Sequence, residues 1–369
     1  MGLFGEKQVK NCLGVDIGTS SIKVIELSKP KENIRLENYG EIPVEDIEFD
    51  DSRMDIQGNK NISFLSSSTK EVSKAISVLI EEAGFRSKKA VFSIPDFSTF
   101  FTSFDLPPMR EKEIPEAVKF KAGKYIPLPL SDMKIDWAII DGTPSRKKNI
   151  FSKETIGTKL KILLVTVPNE VILKYQDVAK IAGLELLALE AEVFSLVRSL
   201  IKKNKGVIIL VDIGGRSTTC SVIKNGVLLS SHSFDISGNE LTYSLSRSLN
   251  IDYNEAERLK REIGIRKGTK EEEILYPLID LILKEIKKLS DSFSQFENDK
   301  VSKIILAGGG ALTPGLKEYF SEQLGIETVI VNPFENIVCP SPLTEILKKM
   351  GPSYGIAIGS ALKGLEIVV

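Results

Sequence analysis

Apolar residues recur along this chain at two different periods, and the places where the period changes mark its elements. Residues 13–17, 22–28 and 33–42 are β-rich runs separated by short polar turns, which predicts a three-stranded antiparallel meander. The period then lengthens. Val72, Ala75, Ile76, Leu79, Ile80 and Ala83 fall at helical spacing over 69–84, and Gly84 is placed to cap the helix. From Ala90 to about Ile140 strand-like runs at 90–94 and 99–104 alternate with prolines and a helix near 112–124, the texture of an inserted subdomain. Residues 141–160 are polar and read as a loop. The core is expected to resume with a strand at 161–167, a helix after Pro168-Asn169, and a helix at 192–203 that crosses to a second half. That half opens with another apolar run ending at Asp212. Helices follow it, one with Ser237 and Glu240 at capping-box spacing.

Composition narrows the class. With 49 basic and 50 acidic residues the net charge is −1, so nothing favours nucleic acid as a partner. Cys12, Cys220 and Cys339 have no metal or redox spacing, and Cys12 and Cys220 read as small buried hydrophobes. His232 is the single histidine, so neither a histidine-based triad nor a multi-histidine metal site can be built; a structural place in a strand is expected. Trp137 reads as a core anchor of the inserted subdomain. No apolar run reaches the length of a membrane helix, and the opening Met1–Lys7 is not a signal peptide, so a cytoplasmic protein without direct membrane insertion is expected.

Candidate chemistry concentrates in three glycine-bearing turns. Two are near copies: Val15-Asp16-Ile17-Gly18-Thr19-Ser20-Ser21 and Val211-Asp212-Ile213-Gly214-Gly215-Arg216-Ser217-Thr218. Each is a buried strand ending in Asp, a glycine that lets backbone approach an anion, and hydroxyls that can cradle phosphate oxygens. Asp16 and Asp212 are placed to hold water on a Mg²⁺ ion, which prefers carboxylates, waters and phosphates. The third turn, Gly308-Gly309-Gly310 after an apolar strand, allows a flat group to lie on bare backbone; Thr313 and Pro314 are expected to start the next helix. Neither a Rossmann fingerprint nor a P-loop is present.

The order of these three turns resembles the actin-like ATPase superfamily, whose members clasp ATP between two ribonuclease-H-like halves. Within it, the run from Gly14 to Leu27 resembles the opening signature of the PilM family of type IV pilus assembly, and the resemblance extends to Ser353–Leu362. It implies an α/β fold, a duplicated ribonuclease-H-like actin-like ATPase with two lobes, each carrying an inserted subdomain. The lobes are expected at 1–205, with the insertion at about 89–160, and at 206–369. The second holds a helical insertion at about 237–296, and a C-terminal helix at about 353–364 packs back toward the first lobe.

The implied ligands are ATP and Mg²⁺, with Gly18, Thr19, Ser20, Ser21, Gly214, Gly215, Ser217 and Thr218 around the phosphates and Gly308, Gly309 and Gly310 beside the nucleoside. Lys23 matches the spacing of a phosphate-facing lysine, but its strand position equally suits a solvent-facing one. Glu257 and Lys260 share a helix face that meets ribose or adenine in the superfamily; the plain alternative is a surface ion pair. Glu192 matches the water-orienting glutamate at the start of the crossing helix, with Val193 in place of the family's proline, and Glu190 competes for that role. Slow or no hydrolysis is therefore expected. The implied partner is the N-terminal cytoplasmic tail of PilN, within a pilus inner-membrane platform that also involves motor ATPases, so recruitment to the inner face of the cytoplasmic membrane is expected. The stretch 119–127 is expected to wall the peptide groove through Phe120, Tyr125 and Ile126, residues equally suited to packing the small subdomain. Two other readings stand beside this one. An FtsA-like filament protein is disfavoured because no amphipathic tether follows the last helix before Val369, and a small-molecule kinase because no residue reads as its catalytic base.

Overall fold

The computed structural model describes residues 9–47, 68–126, 128–145, 157–201, 206–297 and 299–367. The opening Met1–Lys7, most of the polar stretch between 141 and 160, the end of the helix expected at 192–203, and Pro127 lie outside them.

The chain begins with the expected meander: β1 (Asn11–Ile17), β2 (Ser21–Ser28) and β3 (Ile34–Pro43). Its register sets Asp16 opposite Lys23 and Lys23 opposite Glu41. Helix α1 (Thr69–Glu82) turns Val72, Ala75, Ile76, Leu79 and Ile80 onto one face of this sheet. β4 (Lys89–Ile94) joins the same sheet parallel to β1. The chain then leaves it. β5 (Phe100–Leu106), α2 (Ile114–Ala122), β6 (Met133–Asp141) and β7 (Leu160–Pro168) form a separate three-stranded sheet with a helix on it. Phe104, Ile114, Val118, Leu160, Ile162 and Leu164 fill its small core, and Trp137 packs against that core partly buried. α3 (Asn169–Ile181) and β8 (Glu185–Ala191) return to the first sheet, and α4 (Glu192–Leu200) follows at once.

The second half repeats the plan with β9 (Val207–Ile213), β10 (Thr218–Lys224) and β11 (Val227–Phe234), followed by α5 (Gly238–Leu249), α6 (Tyr253–Glu262) and α7 (Lys270–Glu297). β12 (Val301–Ala307), α8 (Leu316–Leu324) and β13 (Thr328–Ile330) complete its sheet. Finally β14 (Ile337–Val338), α9 (Thr344–Met350) and α10 (Gly355–Glu366) return to the first sheet, β14 pairing with β3 and α10 lying on β1, β4 and α4. The sheet orders are β14-β3-β2-β1-β4-β8 and β11-β10-β9-β12-β13. Apart from β14, each is a meander extended on the far side of its first strand by two further strands that run parallel to it. A shared apolar cluster around α4, with Val193, Leu196, Leu210, Ile305 and the half-buried Phe101, joins the two sheets and the small one.

Several expectations need correction. The run at 90–94 is not part of the insertion: β4 pairs in parallel with β1 and β8 in the large sheet. The strand at 161–167 is not a resumption of the core, because β7 is the middle strand of the small sheet. Thr313 and Pro314 do not start a helix. Residues Gly309–Leu312 form a 3₁₀ turn, and Gly315, at φ 85°, caps α8 instead. His232 does lie in a strand, on the exposed edge strand β11.

Candidate functional site

β1 and β9 are buried strands whose turns face one another across a cleft of about 410 Å³. The turns close alike. Gly18 N–H donates to Ser21 O at 3.1 Å, and Gly214 N–H donates to Ser217 O at 3.0 Å. They also touch: Ser20 Oγ donates to Asn239 Oδ1 at 3.3 Å, and a Cβ on Gly215 would collide with Ser20 Oγ. Gly308 is required for a comparable reason. It sits at φ 79°, where a side chain would run into Asp212 and the carbonyl of Ile213. Thr19, Ser21, Ser217, Gly309 and Gly310 line the same cleft.

The floor is acidic. Asp16 is 5% exposed and accepts from Ser93 Oγ at 3.5 Å; Asp212 is 8% exposed, and its Oδ1 is buried without a hydrogen-bond partner. Burial pushes the Asp212 carboxyl up to about 7, and the charge of Asp16 adds to that. Burial also raises Asp16, against the pull of Lys23. Glu192, at the first turn of α4, accepts from the backbone N–H of Asp96 at 3.1 Å, while Asp96 Oδ1 accepts from Val193 N–H at 3.3 Å. Burial, followed by repulsion from Asp96, Asp16 and Asp212, holds Glu192 well above the usual carboxylate range. Four carboxylates thus crowd one floor. An orphaned buried oxygen and mutual repulsion are what a divalent cation relieves. Among the described residues no three His, Cys, Asp or Glu side chains converge as a cage. The donor set suits an ion held by one or two carboxylates, waters and a phosphate ligand.

Lys23 lines the cleft with Nζ 3.3 Å from Glu41, beside Ser21, so it faces the cleft rather than bulk solvent. Glu257 and Lys260 also line it, and their 2.6 Å pair is not a surface one. Lys260 is 5% exposed and donates to Gly238 O at 2.9 Å and Thr242 Oγ1 at 2.7 Å. Burial lowers the Lys260 pKa, and Glu257 opposes that.

Other expected residues are elsewhere. Thr218 turns away and donates to Ile236 O at 2.6 Å; strand alternation gives the cleft to Thr219 instead. Glu190 is held by two nitrogens of Arg198, at 2.5 and 3.0 Å, and by Ser195 Oγ at 2.7 Å, so it does not compete with Glu192. Ile126 is buried in the core of the small subdomain and forms no groove wall. Phe120, 77% exposed, and Tyr125, 42% exposed and stacked on Phe104 at 5.5 Å, are surface residues away from the cleft.

Sequence reasoning missed Asp96, Asn239, and the pairing of Arg216 with Phe97. Asp96 carried only a weak signal: the buried run Phe92-Ser93-Ile94 leads through Pro95 to an acid, but Ser93 stands where the two glycine turns have their aspartate.

A family model described as type IV pilus assembly protein PilM matches residues 14–365. Cell division protein FtsA of Bacillus subtilis (strain 168) is 25% identical over 269 residues, 68% of this chain and 58% of FtsA, so the match spans little more than half of that relative. A solved PilM-PilN type IV pilus biogenesis complex superposes with TM-score 0.79 at 23% identity, over 98% of this chain and 100% of that one. MreB5 of Spiroplasma citri bound to AMPPNP superposes with TM-score 0.51 at 13% identity, over 96% of each chain. At such identities the structural likeness is one of fold, the two-lobed actin-like fold.

Proposed function

Because the chain belongs to the PilM family of type IV pilus assembly proteins, we propose that its cleft binds ATP with Mg²⁺ and that its surface receives the N-terminal cytoplasmic tail of PilN. The observation that carries the nucleotide reading is the pair of facing turns above Asp16 and Asp212, with Asp212 Oδ1 left unpartnered. Asp16 and Asp212 hold the magnesium through its waters, and the ion supplies the charge neutralisation that phosphoryl chemistry needs. The hydroxyls of Thr19, Ser20, Ser21 and Ser217 meet phosphate oxygens. Lys23 turns from Glu41 to the phosphates, Gly308–Gly310 leave room for a flat base, and Glu257 with Lys260 contacts the nucleoside. Glu192 orients water. Its carboxylate is tied to the Asp96 backbone, and with Val193 where the family has proline, turnover is slow. The protein is a nucleotide-held clasp more than an enzyme. The nucleotide analogue in MreB5 and the PilN in the solved complex belong to those proteins, and they support this reading by likeness of fold.

The PilN tail is extended when bound and is anchored by apolar side chains, with Phe120 and Tyr125 as its contacts. This places the protein at the cytoplasmic face of the inner membrane, alongside the pilus platform and its motor ATPases. Among the described residues no helix is long and apolar enough to cross a membrane. The test is calorimetric titration of the full chain with Mg-ATP and with a synthetic peptide of the PilN N-terminal segment. Saturable one-to-one binding of both, with the peptide signal lost in Phe120→Ala and Tyr125→Ala, is the expected result. ATP binding without peptide binding would leave the clasp standing and remove the pilus partner.

A further inference from the structure

Most cations around the cleft are already matched. Lys23 lies 3.3 Å from Glu41, Lys260 2.6 Å and Arg261 2.7 Å from Glu257. Arg216 is different. Its side chain pairs with no carboxylate among the described residues, although the cleft it lines is acidic. Instead its guanidinium carbon lies 4.6 Å from the centroid of the Phe97 ring. Lys349, also without a carboxylate partner among the described residues, comes from α9 and not from a phosphate-type turn.

Where Arg216 sits gives this meaning. It lies in the second turn, between Gly215, which meets Ser20 of the first turn, and Ser217. Phe97 lies in the first half, in the turn after β4, so the contact crosses the cleft. The residue before Phe97 is Asp96, whose backbone N–H holds the carboxylate of Glu192. Arg216 is therefore at the Glu192 end of the cleft, where the terminal phosphate belongs if Glu257 and Lys260 take the nucleoside. An aromatic face holds a guanidinium weakly, whereas a phosphate takes it through two parallel charge-assisted hydrogen bonds.

We propose that Arg216 is the residue that selects a nucleoside triphosphate over a diphosphate, leaving Phe97 to bind the terminal phosphate. This rests on the reading of the cleft as an ATP site and deepens it. Phe97 keeps the arginine at the cleft mouth while no phosphate is present. Transfer of the guanidinium to the ligand also dissolves a contact between the halves, so a diphosphate leaves that contact in place.

The experiment is calorimetric titration of the full chain and its variants with Mg-ATP and, separately, Mg-ADP. Arg216→Ala is expected to weaken Mg-ATP by at least about tenfold, the loss of a charge-assisted contact, and to change Mg-ADP by less than about twofold. Arg216→Lys retains part of the preference. Phe97→Leu releases the guanidinium and tightens Mg-ATP by about 2–5-fold, and that gain is absent in the Arg216→Ala/Phe97→Leu double variant. Because Arg216 is exposed, the melting temperature of Arg216→Ala should stay at the wild-type value. Equal loss of both nucleotides, or no loss of either, overturns the assignment while leaving the ATP site intact. Failure of the wild-type protein to bind either nucleotide overturns the ATP reading and this proposal with it.

Discussion

The two hairpins share a backbone but not a charge. In the first, the register builds a row across three strands, Asp16–Lys23–Glu41, in which one lysine lies between two carboxylates. In the second, the same row is Asp212–Thr219–Ser233, with Thr219 and Ser233 hydroxyls 2.8 Å apart and no cation. Asp16 therefore has Lys23 directly opposite and a hydrogen bond from Ser93, whereas Asp212 Oδ1 has no hydrogen-bond partner and feels Lys23 less than it feels the repulsion of Asp16. A duplicated turn supplies the shape of a phosphate site twice, and the neighbouring strands decide which copy arrives neutralised. On the proposed nucleotide reading, the asymmetry makes Asp212 the member with most to gain from a bound cation.

The largest expected effect is on stability without ligand. The Asp212 carboxyl is shifted from 3.8 to about 7 by burial. Between these values the folded state holds a proton that the unfolded chain has released, so this group destabilises the fold progressively as pH rises from about 4 to about 7. Above that window the penalty is on the order of 4 kcal/mol. In metal-free buffer at pH 8, Asp212→Asn should melt well above the wild type, and the difference should close by pH 4. Asp16→Asn should gain less, because it removes a partner of Lys23. Equal gains from the two variants would end the comparison.

Ligand binding should sharpen it in the other sense. Replacing a carboxylate that orients waters around a metal typically weakens metal binding 10–100-fold, so Asp212→Asn and Asp16→Asn should each weaken Mg-ATP by roughly that factor. Magnesium with nucleotide should raise the wild-type melting temperature at pH 8, as any native-state ligand does, and do so much less in Asp212→Asn. Scanning calorimetry across a magnesium series measures both. A wild-type protein that melts at the same temperature with and without Mg-ATP would remove the cation from the site.

What was legible in the chain follows from range and parity. The meander, the Asp-Ile-Gly turns and the apolar stripe of α1 are local patterns, and period alone reveals them. Which sheet takes β4, β7 or β8 is fixed by partners distant in sequence, with β4 between β1 and β8, so no window along the chain contains that information. The sequence pattern points to Thr218 at the cleft, whereas the fold puts Thr219 there, because a one-residue difference in a strand exchanges faces. Glu190 and Glu192 were indistinguishable as acids near a helix start until Arg198, on the next turns of α4, claimed Glu190. Asp96 escaped because it lies two residues beyond its strand, after Pro95, whereas Asp16 and Asp212 lie within theirs, ahead of Ile-Gly.

The smallest effect concerns Glu41, which the second hairpin replaces with Ser233. Burial alone would raise its pKa, but Lys23 and hydrogen bonds from Ser21 and Lys23 outweigh that, and the carboxyl titrates below its ordinary value. Glu41 therefore remains charged at neutral pH, and on the proposed reading it would compete with a nucleotide phosphate for Lys23. Its side chain is 37% exposed, so water screens the pair and the competition is modest. Glu41→Gln keeps the shape while removing the charge. It should tighten Mg-ATP by about 2–5-fold, the scale of an exposed ion pair. The gain should disappear in a Lys23→Ala background, where there is no lysine to release, and adenosine, which has no phosphate, should bind the variant and the wild type alike. If Glu41→Gln tightened adenosine as well, the residue would be shaping the nucleoside end of the cleft, and the charged row of the first hairpin would no longer explain why Lys23 stands where it does.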